Sequence, residues 1–99
     1  MILETLAELS FQGFDVFWDG RNIRLRGNLT PELERLLSEL KPYRREVENL
    51  LRREAEAIAQ TRCWRCGGRV EFERRAELCV AVRCPDCGGI SMLVPHQVQ

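Results

Sequence analysis

The chain has 99 residues, of which 44% are hydrophobic and 30% are charged, and its formal net charge is zero. This composition is too apolar for an intrinsically disordered protein. A sequence pI of about 6.6 also disfavours a dedicated nucleic-acid-binding protein, which usually carries a clustered basic face and a high pI. The length suits one domain or two very small ones, and a unit below about 40 residues usually needs a metal or disulfides to fold.

The N-terminal segment has neither the basic region nor the long apolar run of a signal peptide. No stretch approaches the ~20 apolar residues that a membrane span requires. We therefore expect a cytoplasmic protein without a membrane partner. In that reducing compartment, paired Cys-x-x-Cys motifs indicate metal sites rather than disulfides.

The first 28 residues predict a helix followed by a β-hairpin. Apolar residues recur at helical spacing over 2–12, and Gly13 stands where a helix would end. Apolar and polar residues then alternate over 14–18 and again over 23–26, which is typical of strands. Asp19-Gly20 supplies a tight turn between them.

Two further helices are predicted after the hairpin. Thr30 is a good N-cap residue, and Pro31 occupies the first helical position of the second helix. Pro42 is expected to stop, kink or restart the chain, because proline lacks a backbone donor and disfavours a helical residue before it. The third helix is predicted over about 42–60, with Val47 and Leu51 among its inward-facing residues.

Four cysteines in two pairs form the strongest motif in the sequence. Cys63 and Cys66 are separated by two residues, as are Cys84 and Cys87, and each pair is followed by Gly-Gly. This spacing lets both thiolates of a pair turn onto one ion, so the motif predicts one structural Zn²⁺. The alternatives are a redox dithiol and a catalytic zinc, but a catalytic site keeps a position open for water, whereas four cysteines fill all positions.

The segment 62–94 resembles the zinc-ribbon family, with Cys-Trp-Arg-Cys-Gly and Cys-Pro-Asp-Cys-Gly as its two metal-binding turns. Between the cysteine pairs, apolar residues alternate in strand fashion on both sides of an expected turn at 74–77, and 90–94 could add a third strand. Cys79 is interpreted as a small packed residue rather than a fifth ligand. His96, the only histidine, is expected to be solvated.

The first 60 residues resemble the TubC-type N-terminal docking domain of nonribosomal peptide synthetases. The likeness is carried by Leu-Ala-Glu-Leu-Ser at 6–10, Gly-Phe-Asp-Val at 13–16, Trp-Asp-Gly at 18–20, Ile-Arg-Leu at 23–25 and Leu-Thr-Pro-Glu-Leu at 29–33. The expected fold is therefore α+β, with an αββαα docking-like domain over 1–60 and a four-cysteine zinc ribbon over 61–99. Docking domains normally precede a large catalytic module, whereas here a zinc ribbon follows.

This resemblance implies a module that often dimerises and captures the C-terminal tail of a protein partner along its second strand. That strand corresponds here to Ile23, Arg24, Leu25 and Arg26. An exposed strand edge can accept an extended peptide as an additional strand. Arg24 and Arg26 would then meet acidic residues of the tail. The alternative for these residues is an ordinary solvated strand face.

Two functions are consistent with the sequence. The first is a non-catalytic adaptor that binds a protein partner, in the form of a monomer or a homodimer. The second is a nucleic-acid-binding accessory protein of replication or transcription, in which an aromatic ring and cations near the metal site make the contacts: Trp64, Arg65, Arg69, Arg74 and Arg75. An enzyme is not expected, because the chain has no Ser/His/Asp arrangement and no phosphate-binding glycine loop.

Overall fold

A computed structural model describes residues 2–96 of the chain. The fold is α+β, as predicted, and contains two small antiparallel sheets. The elements in chain order are α1 (Ile2–Phe11), β1 (Asp15–Trp18), β2 (Ile23–Arg26), α2 (Pro31–Glu39), a 3-10 turn (Lys41–Tyr43), α3 (Arg44–Ala59), β3 (Glu71–Arg75), β4 (Val80–Arg83) and β5 (Ile90–Leu93).

The N-terminal half packs three helices against the β1–β2 hairpin. The hairpin is antiparallel, with Asp15 opposite Arg26 and Trp18 opposite Ile23. Its core is a continuous apolar cluster drawn from every helix and from the chain around β1: Leu6, Leu9, Phe14, Val16, Leu33, Leu40, Val47 and Leu51. These are largely the residues whose spacing predicted the elements, so this half has a core of its own.

Proline and the N-cap residue set the boundaries of the helices as expected. The Thr30 hydroxyl accepts a hydrogen bond from the backbone N–H of Leu33, and Pro31 opens α2. Pro42 lies in the 3-10 turn, so the chain changes direction there and restarts as α3 at Arg44. The predicted restart at this proline is therefore confirmed.

The C-terminal half is a three-stranded sheet in the order β3-β4-β5. The third strand, over Ile90–Leu93, is confirmed and pairs with β4. The turn between β3 and β4 follows Arg75 instead of occupying 74–77, because β3 is irregular between Phe72 and Arg74 and so runs further than alternation alone suggested. Apolar residues of this sheet form a second, smaller cluster with two of the cysteines: Cys63, Val70, Val80, Val82 and Cys84.

The two halves contact each other through aromatic rings and side-chain hydrogen bonds. Phe17 of β1 stacks on Phe72 of β3, with ring centroids 5.1 Å apart and an interplanar angle of 9°. Arg26 lies over both rings, pairs with Asp15, and donates a hydrogen bond to the backbone carbonyl of Glu73. The hairpin of the N-terminal half is thus attached directly to the first strand of the cysteine-containing sheet.

Candidate metal centre

The structure brings the four predicted ligands together. The sulfur atoms of Cys63, Cys66, Cys84 and Cys87 all lie within 4.8 Å of one another. The sulfurs of Cys63 and Cys87 are 3.4 Å apart, and those of Cys66 and Cys84 are 3.5 Å apart. A disulfide would require about 2.05 Å, and these cysteines are free. A regular tetrahedron with metal–sulfur bonds of about 2.3 Å has sulfur–sulfur edges of about 3.8 Å, so the cluster has the size of a metal site.

Two turns with the same backbone geometry present the sulfurs. In the first turn, the N–H of Cys63 donates to the carbonyl of Gly68, and the N–H of Gly67 donates to the carbonyl of Cys63. The second turn repeats this pattern at the equivalent positions of 84–89. Gly67 has a φ of +76°, a left-handed conformation that favours glycine. We call these turns knuckle 1 (63–68) and knuckle 2 (84–89).

The second glycine of each knuckle lies where a larger residue would crowd its neighbours. A Cβ atom built on Gly68 would lie 3.2 Å from Oδ2 of Asp86, with the sulfurs of Cys66 and Cys84 at 3.4 and 3.7 Å. A Cβ atom on Gly89 would lie 3.2 Å from the sulfur of Cys63. The two glycines of each pair therefore have different roles. The first supplies the left-handed backbone conformation, and the second leaves space that a Cβ atom would crowd, against Asp86 in knuckle 1 and against Cys63 in knuckle 2.

The pKa values of the Cys63 and Cys66 thiols are shifted in opposite directions. Backbone N–H groups of Cys66 and Arg65 donate to the sulfur of Cys63 and lower the pKa of that thiol to about 6. The N–H of Gly68 lowers the pKa of Cys66, but the neighbouring sulfurs of Cys84 and Cys87 raise it by more, to about 12. One thiolate forms readily, and a divalent cation would displace the protons that remain.

This donor set fits a closed, four-thiolate metal site. Cys63 and Cys84 are buried, whereas Cys66 is exposed at the surface. Four soft sulfur ligands at tetrahedral separation fill the coordination shell of a zinc-sized cation without a vacant position. Cys79 is not part of the cluster, because it follows β3 in the turn that leads to β4 and its carbonyl accepts from the N–H of Ala76.

A second group of polar residues joins the two halves and was not predicted from the sequence. Glu54 of α3 is buried, and its carboxylate accepts two hydrogen bonds from the guanidinium of Arg75. The Nε atom of Arg75 lies 2.9 Å from Oε2 of Glu54, and Nε2 of His96 lies 2.8 Å from the same oxygen. We call these three residues the Glu54 cluster. They connect α3 to the end of β3 and to the segment after β5.

Burial and hydrogen bonding act on the Glu54 carboxylate in opposite directions. Burial raises the pKa of Glu54, but the hydrogen bonds from His96 and Arg75 lower it by more, so the net shift is downward. The carboxylate is therefore ionised in the folded protein, and His96 donates to it through Nε2, because an ionised carboxylate only accepts.

The location of Arg75 corrects one sequence-based expectation. The sequence predicts Arg75 as one of the cations that contact nucleic acid, but only 2% of its surface is exposed. In a regular strand, Phe72 and Arg74 would share the inner face. The irregularity between these two residues shifts the register, so that Arg75 turns inward and Arg74 outward.

The location of His96 corrects a second expectation. His96 was expected to be solvated, but it is 7% exposed and contacts the Glu54 carboxylate. A polar tail sequence gave no sign of this contact. A detectable signal did exist in α3, because Glu54 stands on the same helical face as Val47, Leu51 and Ile58. A lone acid on an apolar stripe indicates a buried partner for its charge.

The residues predicted to bind a partner lie on a strand that has a neighbour on one side only. Within the described residues, β2 pairs with β1 and has no strand on its outer edge. Leu25 is 53% exposed, and Ile23 is partly buried. Arg24 already pairs with Asp19, and Arg26 with Asp15, so both cations have carboxylate partners within the chain.

The remaining residues predicted to contact nucleic acid lie near knuckle 1 or on β3. Trp64 is 71% exposed, and its indole N–H donates to the carbonyl of Ile90, 3.1 Å away. The guanidinium of Arg65 lies 5.9 Å from the centre of the Trp64 ring. Arg69 and Arg74 are also exposed. The structure therefore brings Trp64 and Arg65 together and leaves them accessible.

Comparison of the chain with known family models, with curated proteins and with solved structures gave no match. Over residues 2–96, no helix combines the length and the apolar character needed to cross a bilayer.

Proposed function

We propose that this chain is a non-catalytic zinc-binding adaptor, in which the four thiolates hold one structural Zn²⁺ and the outer edge of β2 receives an extended segment of a protein partner. The observation that carries the proposal is the convergence of four cysteine sulfurs, all within 4.8 Å, on a sheet that is attached to a separate α+β half.

Zinc is the metal that this donor set favours. Thiolates are soft ligands, and a tetrahedral site of four sulfurs is typical of zinc or of iron. The closed shell leaves no position for water or substrate, which supports a structural role. The C-terminal half has only a small apolar cluster, so metal binding is a credible source of its stability.

Metal analysis of the purified chain tests the first part of the proposal. We expect one zinc per chain, and Co²⁺ substitution should give the intense visible bands of tetrahedral thiolate coordination. The Cys84→Ser variant should bind metal much more weakly, while Cys79→Ser, which changes a cysteine outside the cluster, should keep the full content. A metal-free chain that stays folded, or a chain that holds iron alone when zinc is available, would overturn the assignment of zinc.

The open edge of β2 supports the second part. An unpaired strand edge offers backbone donors and acceptors that a peptide can satisfy as an added strand. Leu25 places an exposed apolar side chain on this strand. Because Arg24 and Arg26 already have carboxylate partners, backbone hydrogen bonds and apolar contact would supply more of the affinity than the arginines.

Site-specific crosslinking in cells tests the edge directly. A photoreactive amino acid at position 25 should crosslink to a protein, whereas the same group at Ser38, exposed on α2, should not. The crosslinked segment of that protein, made as a peptide, should slow hydrogen exchange of the β2 amides. Equal crosslinking at both positions, or a bound peptide that leaves β2 exchange unchanged, would refute the adaptor proposal.

A nucleic-acid-binding accessory role is the second candidate, favoured by the exposed Trp64 ring and the adjacent Arg65. Aromatic rings bind unpaired bases by stacking, and arginines bind phosphates. This candidate predicts salt-dependent binding of single-stranded oligonucleotides that Trp64→Ala weakens. Binding that does not depend on salt concentration, or that Trp64→Ala leaves unchanged, would exclude this candidate.

A further inference from the structure

A cleft of about 670 Å³ lies between the two halves of the chain. This volume is in the range of about 300–1,000 Å³ that small-ligand sites occupy. Ala55, Ile58 and Ala59 of α3 line one side, and Val70 lines another. These residues give part of the cleft an aliphatic surface that suits a small apolar group. Two carboxylates also line the cleft, and each is already paired with an arginine: Asp19 with Arg24 and Glu71 with Arg69.

Two arginines stand opposite each other at this cleft. Arg62 and Arg69 form an isolated antiparallel bridge and both line the cleft. Like charges directly opposite each other are destabilising. Within residues 2–96, no carboxylate lies within ion-pair distance of Arg62, which donates only to the carbonyls of Ala59 and Thr61. Arg69 forms an exposed ion pair with Glu71 at 3.9 Å, which is too long for a hydrogen bond. Neither guanidinium donates a hydrogen bond to a carboxylate of the described residues, so both keep donors that an anion could use.

The aromatic rings beside the cleft argue against a nucleic acid as this anion. Phe17 and Phe72 stack on each other, and Arg26 lies over both rings. The guanidinium of Arg52 lies 4.5 Å from the centre of the Trp18 ring. Because these ring faces already have partners, they offer little stacking surface to a base. The cleft combines aliphatic surface with a two-arginine clamp, which matches a carboxylate on an apolar body.

We propose that this cleft binds an apolar chain that ends in a carboxylate, with Arg62 and Arg69 holding the carboxylate and Ile58 and Val70 contacting the apolar chain. The two arginines flank knuckle 1, where the N–H of Cys63 donates to the carbonyl of Gly68 at 2.7 Å. A metal bound at this knuckle would therefore also fix the backbone from which the two arginines project. Arg26 of β2 lines the cleft, but the proposed contacts come from α3 and from the residues around knuckle 1 rather than from the outer edge of β2. This site can therefore fail while the adaptor proposal stands, and the reverse is also true.

Fluorescence titration of the metal-loaded full chain tests the proposal. The chain has two tryptophans, so Trp64→Phe leaves Trp18, at the cleft, as the only indole reporter. The probes are decanoate and the peptide acetyl-Ala-Leu-Leu with a free C-terminus, each followed into the millimolar range. The same peptide with an amidated C-terminus is the matched control ligand.

We expect at least one of the two acids to bind, and the amidated peptide to bind about tenfold more weakly or worse than the free acid if the peptide is the ligand. Decanoate alone would identify a free aliphatic acid, and the peptide alone would identify a protein C-terminus. The double variant Arg62→Gln/Arg69→Gln should weaken binding about tenfold or more. Arg69→Gln alone should weaken it to a smaller extent. Arg74→Gln, on the outer face of β3, should leave binding unchanged.

Three results would overturn the proposal. The first is no saturable binding of either acid. The second is equal binding of the acid and the amidated peptide. The third is equal loss in Arg62→Gln/Arg69→Gln and in the control Arg74→Gln. Both arginines are exposed and their replacement removes no core contact, and metal content with far-UV circular dichroism verifies that each variant is folded.

Discussion

The buried ion pair between Arg75 and Glu54 gives the sharpest stability prediction. Their side chains are 1% and 3% exposed, so neither charge has access to water. Replacing Arg75 by methionine leaves a buried carboxylate with His96 as its remaining side-chain donor. Removing one partner of such a pair typically costs about 3–5 kcal/mol. Because the His96 hydrogen bond remains, we expect a loss near the lower end, about 3 kcal/mol, out of the 5–15 kcal/mol that is usual for a folded domain.

A double-mutant cycle separates this interaction from general damage to the core. We expect Arg75→Met and Glu54→Gln to be strongly non-additive, with a coupling energy of about 2–3 kcal/mol, because each change alone strands the opposite charge. Arg74→Met is the control, since it replaces the exposed neighbour and should stay within about 0.5 kcal/mol of the parent.

Urea unfolding at neutral pH is the assay, with free Zn²⁺ held constant because a ligand that binds only the folded state adds to the apparent stability. If Arg75→Met costs no more than Arg74→Met, or if the effects of Arg75→Met and Glu54→Gln simply add, then the pair does not hold the two halves together and the reasoning fails.

Three other predictions concern metal, backbone and pH. In NMR spectra, chelation of the metal should collapse the amide chemical-shift dispersion of residues 62–94, while the N-terminal half keeps the signals of its helices because it has its own core. Loss of dispersion in both halves, or no change in either, would contradict this. Gly20→Ala should cost about 1–3 kcal/mol because its φ is +103°. Gly27→Ala should cost more in denaturant unfolding, because its φ is +124° and the added Cβ would also clash with the carbonyl oxygen of Gly13. Equal costs for the two variants would contradict this clash. Hydrogen bonds from His96 and Arg75 hold the pKa of Glu54 in the folded protein below its usual range. The stabilisation that the ionised carboxylate contributes is therefore fully present above its unfolded-state pKa of about 4.3, and it is lost as the pH falls through the lower folded-state pKa. Glu54→Gln should therefore flatten the fall in unfolding free energy in that acidic window, and an unchanged slope would contradict the assignment.

Local signals in the sequence were sufficient for most of the elements and for the cysteine cluster. Helical spacing, the Thr30-Pro31 start and the position of Pro42 led to the helix order, because these effects act within a few residues. The cysteine spacing predicted the four clustered sulfurs for the same reason, since each knuckle is closed by its own backbone hydrogen bonds.

Contacts between the halves could not be predicted in the same way. Glu54 lies in α3 and Arg75 lies in β3, 21 residues later, so no local pattern pairs them. The irregularity in β3 also defeated simple alternation, because it exchanges the faces that Arg74 and Arg75 would otherwise occupy. The cleft beside Arg62 and Arg69 exists only because the two halves are packed together, and so neither half alone encodes it.

The Glu54 cluster also has a consequence for synthesis on the ribosome. The N-terminal half emerges first, and at about 5–20 residues per second it has roughly one to four seconds before Arg75 follows. During that interval neither Arg75 nor His96 is available to the Glu54 carboxylate, so the surface of α3 around Glu54 stays hydrated while Val47 and Leu51 pack into the core of the N-terminal half. Burial of Glu54 therefore follows the arrival of the cysteine-containing segment.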